Sequence, residues 1–423
     1  MDRVIFHVDV NSAFLSWTSV KRLQEGKSDL REIPAIIGGD PDKRTSVVLA
    51  KSLPAKAYKI RTGEPVSSAA KKCPGLVIAP PDFVTYRASS EKFISICRSY
   101  APVVEQVSID ECFCDFSGTS RIYPDKLALA NEIRLKIKNE LGFTVNIGIS
   151  ENRLLAKMAS DFEKPDKIHT LYKKEIPMKM WPLPVSELLF VGKATADKLE
   201  KNKIRTIGDL AQTDRATLVR LFGVKEADSL LLRANGQDDS PVMVHPEEAK
   251  GYSLVNTFEE DIRDRETAHA ILLDEVNMLA YRMRKDGYYA GCAGVRMRSG
   301  NYSVRVNKSH QKKLDEVTDS TSFLYRTVTD LFDEMWDGHT GLRLLGIFFT
   351  QITKEKTVQL SLFSDGHLEK EEQADRAMDA LRRKFGTEAV HLGFPSGKSR
   401  QKQTADTHTI SKEDLENASS SHK

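Results

Sequence analysis

Cysteine is scarce and scattered: Cys73, Cys97, Cys112, Cys114 and Cys292 are the five in a chain of 423 residues. An odd number excludes a complete disulfide framework. Cys112 and Cys114, two apart on an expected strand, suit neither a disulfide nor a zinc knuckle. All five read as small core or edge residues in a reducing cytoplasm. Long apolar runs are missing too, since no uninterrupted stretch approaches membrane-spanning length. The N-terminal Met1-Asp2-Arg3-Val4-Ile5-Phe6 enters a strand directly, without a signal-peptide pattern. Net charge is almost absent: 63 Lys and Arg against 60 Asp and Glu leave +3. Affinity for nucleic acid therefore cannot be read from the total and must come from where charges cluster.

What the chain does have is length and apolar content. At 423 residues and 40% apolar it exceeds one ordinary core and predicts three or four compact units of α/β character. Two segments carry most of the chemistry. One is Phe6-His7-Val8-Asp9-Val10-Asn11-Ser12-Ala13-Phe14, the other Val107-Ser108-Ile109-Asp110-Glu111-Cys112-Phe113. Each places carboxylates at or near the end of an apolar run that reads as a buried strand. Ionised carboxylates there are costly unless cations neutralise them. Asp9, Asp110 and Glu111, on two adjacent strands, suit a pair of Mg²⁺ ions for in-line phosphoryl transfer. With 60 acidic residues in the chain, either segment alone reads more readily as a solvated strand end or turn.

The rest of the chain is read by period. Strands are expected at 4–10 and 104–116, with another in Thr144–Ser150. Helices are expected after Pro54, over 86–100, over 124–141 and from about 152 to 162. Trp181-Pro182-Leu183-Pro184 marks a break, and Gln237–Pro241 reads as a polar connector. A helix carrying Ile271, Leu272, Val276, Leu279 and Met283 on one face follows. Next come two expected strands, Gly294–Arg298 and Tyr302–Val306, joined by Ser299-Gly300-Asn301. Residues 282–313 hold nine Lys or Arg and one acid, Asp286. With Arg296 and Arg298 on alternate positions, and Arg305 opposite, this ribbon suits a phosphate backbone better than a merely solvated face.

Taken in order, these segments resemble the Y-family (translesion) DNA polymerases. Asp9-Val10-Asn11-Ser12-Ala13-Phe14 is similar to their first palm motif and Ser108-Ile109-Asp110-Glu111 to their Ser-x-Asp-Glu motif. The resemblance runs from about residue 4 to 395. Asn11 stands where polymerase IV-like members carry a second Asp and polymerase V-like members carry Asn. The resemblance implies a right-hand polymerase. Its palm would span 1–14 and 76–170, small fingers 15–75 and a helix-hairpin-helix thumb 171–240. A C-terminal α+β little finger would span 241–353. It implies Asp9, Asp110, Glu111 and the carbonyl of Val10 as ligands of two Mg²⁺ ions. Phe14 would be the gate against a ribose 2′-hydroxyl, with Tyr86 stacked behind it. Lys56 and Lys164 would face the triphosphate, and Lys157 would be structural or near DNA.

Gly192 and Lys193, at the hairpin, and Arg296, Arg298 and Arg305 would meet the DNA backbone. Gln359-Leu360-Ser361-Leu362-Phe363 is similar to the bacterial sliding-clamp-binding peptide; Gln359, Leu360, Leu362 and Phe363 are the expected anchors, in a segment and helix over 354–395. The helix carries Ala374, Met378, Leu381 and Phe385. A polar, unstructured tail is expected over 396–423. Three departures bear on activity. Leu53 and Lys56 replace a common Tyr and Arg, and Phe190 replaces the first hairpin glycine. The reading is thus a monomeric, Mg²⁺-dependent polymerase without proofreading, acting on primer-template DNA and dNTPs. A catalytically weak, clamp-tethered DNA-binding factor on the same scaffold is the alternative, and nucleotide cyclisation a distant third.

Overall fold

The computed structural model describes residues 3–243, 248–300, 306–356, 367–386, 390 and 406–410, with backbone alone for 367–369 and 406–410. Among these residues no helix is long and apolar enough to cross a membrane. Two compact units divide the chain, Met1–Pro246 and Glu247–Lys423.

The first unit opens with β1 (Ile5–Val10), α1 (Ala13–Gln24), β2 (Ala35–Ile37), β3 (Ala50–Lys51), α2 (Leu53–Ala57), α3 (Val66–Lys72) and β4 (Val77–Ala79). Then come α4 (Phe83–Tyr100), β5 (Val103–Gln106), β6 (Glu111–Asp115), α5 (Lys126–Leu141), β7 (Val145–Ser150), α6 (Arg153–Ser160) and β8 (Ile168–Thr170). The helices α7 (Ile176–Lys179), α8 (Lys193–Lys201), α9 (Ile207–Gln212), α10 (Arg215–Phe222) and α11 (Val224–Ala234) complete it. Side-chain caps set several helix starts: Asp82 accepts from the Thr85 amide, Asp125 from Leu127 and Ala128, and Asn152 from Leu155.

The central sheet has the order β5-β6-β1-β7-β8, so the first strand of the chain lies in its middle. Strand alternation sends Phe6, Val8, Val10, Cys112 and Cys114 into a core shared with α1, α4 and α5. The other face, carrying His7, Asp9, Glu111 and Phe113, receives α6. Close approach there depends on Gly148, opposite His7 in the register. A Cβ on it would fall 2.0 Å from the carbonyl oxygen of Ala156 on α6. Gly148→Ala is therefore expected to destabilise the unit by about 3 kcal/mol, read as a lower urea midpoint.

A separate three-stranded sheet, β3-β2-β4, packs Ile36, Val48, Ala55 and Val66 into a small core. The helices α8 to α11 share apolar contacts with Leu154, Leu155 and Met158 of α6. The expected strand over 104–116 is in fact a hairpin. β5 ends at Gln106, the Val107 amide returns to the Glu111 carbonyl, and β6 starts at Glu111.

The second unit runs β9 (Gly251–Ile262), α12 (Arg265–Lys285), β10 (Ala290–Ser299), β11 (Asn307–Thr318), α13 (Thr321–Met335), β12 (Leu342–Thr350), α14 (His367–Phe385) and β13 (Asp406–Ile410). Its sheet order is β11-β10-β12-β9-β13. The face of α12 bearing Ile271, Leu272, Val276, Leu279 and Met283 is buried as its period predicts. Two expectations differ here, and one falls mostly outside the described residues.

The described partner of β10 runs over Asn307–Thr318; of the expected strand Tyr302–Val306, residues 302–305 lie outside the described residues. β11 is an edge strand with mostly exposed side chains, so it carries little apolar signal. The helix α14 turns its charged side inward. Glu372, Asp375, Asp379 and Arg382 are buried while Leu381 and Phe385 are exposed. Arg284 on α12 holds Asp379 at 2.7 Å and Asp375 at 3.5 Å, and the Thr321 amide donates to Asp375. Within the tail expected to lack structure, Asp406–Ile410 pairs with β9. Arg305, Gln359, Leu360, Leu362 and Phe363 lie outside the described residues.

Candidate active site

Asp9 and Glu111 face each other directly across the antiparallel β1–β6 pair, so both carboxylates rise from the same face. Asp110 occupies the hairpin one residue earlier. Its carbonyl accepts from the Val10 amide at 3.0 Å, which ties the turn to the end of β1. The Ser108 hydroxyl donates to Asp110 Oδ1 at 2.6 Å and accepts from the Asp110 amide. At this site, the donor atoms that converge within 4.8 Å are those of His7, Asp9 and Glu111. The expected trio of acids is thus only partly gathered: Asp110 stands outside that triangle, turned toward Ser108.

Two lysines answer the negative charge. Lys157 Nζ lies 2.6 Å from Glu111 Oε2 and 3.4 Å from Asp9 Oδ2. Lys164 Nζ lies 2.9 Å from Asp9 Oδ2 and 2.8 Å from Asp161 Oδ1. Lys157 is therefore part of the carboxylate cluster, which the sequence reading missed. Helical spacing offered the signal, since Lys157, Ser160 and Asp161 lie on one side of α6 and just beyond it. Burial lifts the Asp110 carboxyl above its usual range, and the nearby Asp9 and Glu111 charges push the same way. Glu111 is pulled down to about 2, first by its contact with His7 and then by Lys157. Burial opposes the charge of Lys157, but Asp9, Asp161 and Glu111 together raise its pKa.

His7 is the second residue the sequence reading missed. It is fully buried, with Nδ1 2.8 Å from Ser160 Oγ and Nε2 3.3 Å from Glu111 Oε2. Its ring meets Phe113 at 4.7 Å. Asn11 likewise has a clear local role. Its amide donates to Asn146 Oδ1, and its carbonyl oxygen accepts from Thr144 and from the Asp166 amide. A carboxylate could not supply the donor, so asparagine here locks β1 to β7 and to the segment after Lys164.

Phe14, at the start of α1, stacks on Tyr86 with centroids 4.6 Å apart and planes 17° apart. Tyr86 is fully buried and its hydroxyl meets Thr18 at 2.9 Å, so it supports Phe14 from behind. Lys56 is exposed on α2, and Leu53 beside it is 58% exposed. Lys51, on β3, was not foreseen. Partial burial and the charge of Lys56 both lower its pKa, the mark of cations gathered without enough anions. Gly192 caps α8 with open space around it, and Lys193 opens that helix. Phe190, at the position where glycine is usual, adopts φ +68° and stacks under Arg233 at 4.6 Å. The turn keeps a left-handed residue despite the substitution, at a cost of about 1 kcal/mol. Arg296 and Arg298 are exposed on β10, while Val295 and Met297 point into the core. Arg296 lies over Phe348, and Arg298 donates to Asn307.

Known proteins resemble this chain over most of its length. The impB/mucB/samB family matches residues 8–161, and the C-terminal domain of that family matches 249–362. A protein of Clostridium acetobutylicum named DNA polymerase IV is 44% identical over 391 residues, 92% of this chain and 97% of the relative. The chain belongs to the Y family of DNA polymerases. DNA polymerase IV 1 of Bacillus subtilis is 33% identical over 95% of both chains. A solved Y-family DNA polymerase chimera aligns with a TM-score of 0.72, covering 83% of this chain and 100% of its own, at 21% identity. That likeness carries the fold: palm, small fingers, helix-hairpin-helix thumb and little finger. The chain is a DNA-directed DNA polymerase of the translesion type, and its family membership implies primer-template DNA, nucleotides and a divalent metal.

The donor set fits such a cation. Hard carboxylate oxygens converge, and two ammonium groups share the charge that a metal would balance. His7 contacts Glu111 from below, so His7→Leu is expected to weaken divalent-ion binding by about tenfold, measured by Mn²⁺ titration. His7→Gln, which keeps a polar contact to the carboxylate, is expected to recover part of the loss.

Proposed function

We propose that this polymerase adds dNTPs to a primer 3′ end with two Mg²⁺ ions held by Asp9, Asp110, Glu111 and the Val10 carbonyl. The observation that carries the reading is the β1–β6 register, which sets Asp9 opposite Glu111 with Asp110 in the adjoining turn. Bound ions lower the pKa of the 3′-hydroxyl and neutralise charge on the transferring phosphoryl group. The chain's own residues do the rest. Ser108 orients Asp110, His7 and Lys157 hold Glu111, and Lys164 sits on Asp9, from where its ammonium can pass to an incoming triphosphate. Lys51 and Lys56 supply further positive charge from the small sheet and α2, compensating in part for the absent guanidinium. Phe14 closes the sugar side.

The domains divide as the resemblance implies, with palm at 1–14 and 76–170, fingers at 15–75, thumb at 171–240 and little finger at 241–353. The α8 N-terminus at Gly192 and Lys193 and the exposed Arg296 and Arg298 meet phosphates. Arg296→Ala combined with Arg298→Ala is expected to lower the salt slope of primer-template binding by about 1.8, two phosphates' worth. Gln359, Leu360, Leu362 and Phe363 bind the sliding clamp, and the chain acts as a monomer in the cytoplasm.

Primer extension on undamaged and damaged templates, with single dNTPs and Mg²⁺, tests the reading. Template-dictated addition past a lesion is expected. Binding of primer-template without addition under any divalent metal would overturn it and favour the clamp-tethered factor.

A further inference from the structure

On the face of β6 opposite the carboxylates, three cysteines meet. Cys112 and Cys114 alternate along the strand and point into the core, and Cys97 reaches them from the last turns of α4. Their sulfurs all lie within 4.8 Å of one another, and Cys112 and Cys114 are 3.9 Å apart. All three are fully buried in the apolar core. From sequence, the Cys112–Cys114 pair alone closes no site; the third corner exists only because α4 packs on the sheet.

The triangle has metal-site dimensions. Three sulfurs around an ion at about 2.3 Å stand about 4 Å apart. Its chemistry is selective. No histidine, aspartate or glutamate joins the three sulfurs among the described residues, and all three cysteines are shielded from water. A structural zinc site needs four ligands, so three soft sulfurs suit a low-coordinate d¹⁰ ion instead. Burial adds a charge condition. A monovalent ion reaches neutrality with one thiolate and two thiols, whereas a net charge left in this core is costly.

We propose that Cys97, Cys112 and Cys114 form a three-sulfur site for a soft monovalent ion of the Cu(I) class. One thiol proton leaves to solvent for each thiolate formed, and no electrons are transferred. The ion ties α4 to β6. Tyr86 and Ser90 on α4 support Phe14 and the Ile109 carbonyl, and β6 begins with Glu111, so both linked elements shape the active site.

The test is anaerobic Cu(I) titration of the full chain against the chelator bicinchoninate, with X-ray absorption at the copper edge. One tightly held equivalent with three sulfur neighbours is expected, together with a raised melting temperature. Cys97→Ala is expected to lose that equivalent while retaining primer extension; Cys73→Ala and Cys292→Ala, altering cysteines elsewhere, are expected to keep it. Should Cys97→Ala fail to fold, the absorption spectrum of the intact chain decides. No copper retained against the chelator, nitrogen or oxygen neighbours at the copper, undiminished binding in folded Cys97→Ala, or a disulfide formed within the trio in place of binding would each overturn the proposal.

Discussion

Asp110→Ala is expected to slow nucleotide addition by about a thousandfold or more, leaving primer-template affinity nearly unchanged. The geometry explains why so small a truncation has so large an effect. Asp110 sits in the turn between β5 and β6, held by Ser108 and by the Val10 amide, and contributes little to the core. Burial and the charges of Asp9 and Glu111 raise its pKa, so the ionised form is costly until a cation arrives. Removing the carboxylate relieves that cost, so the variant is expected to be as stable as the parent or slightly more so. Single-turnover extension and thermal melting together check both halves. An unchanged rate would remove Asp110 from the catalytic set and leave Asp9, Glu111 and His7 as the metal-holding group.

Phe14→Leu is expected to raise ribonucleotide incorporation relative to deoxynucleotide incorporation by about a hundredfold, measured as a ratio of kcat/KM values. The ring of Phe14 is backed by the fully buried Tyr86, which Trp17 and Phe83 also flank. A gate rejects by being immovable, and this stack cannot yield without disrupting the aromatic cluster. Leucine keeps much of the buried volume while removing the flat edge, which separates gating from folding. Phe14→Ala would confound them, because truncating this half-buried ring also strips its packing from Tyr86. A selectivity ratio that does not move in Phe14→Leu would place the gate elsewhere and leave Phe14 as packing alone.

Local signals were legible where burial and period act along a single segment. The apolar alternation of β1 and β7 and the buried stripe of α12 could be read directly, since each residue's environment follows from its neighbours in sequence. Charged side chains that pair across space were not legible. α14 reads as an apolar helix face, yet it docks through Asp375, Asp379 and Arg382, because Arg284 arrives from α12 to meet the two acids. β11 carries few apolar residues because it is an edge strand, and its position depends on β10.

The site divides in the same way. The acids and Phe14 stand in motifs whose order along the chain identifies the polymerase family, so the family and the kind of chemistry are legible from residue order alone. Tertiary structure decided the company each acid keeps. It brought His7 under Glu111, Lys157 onto both strands' carboxylates and Cys97 against Cys112 and Cys114. It also showed that Phe190 takes the left-handed backbone where glycine is usual. The physical reason is range. Hydrophobic period and motif order are written within a dozen residues, whereas the contacts of His7 with Ser160 and of Lys157 with Glu111 join residues more than 40 positions apart, and only packing sets which partners meet.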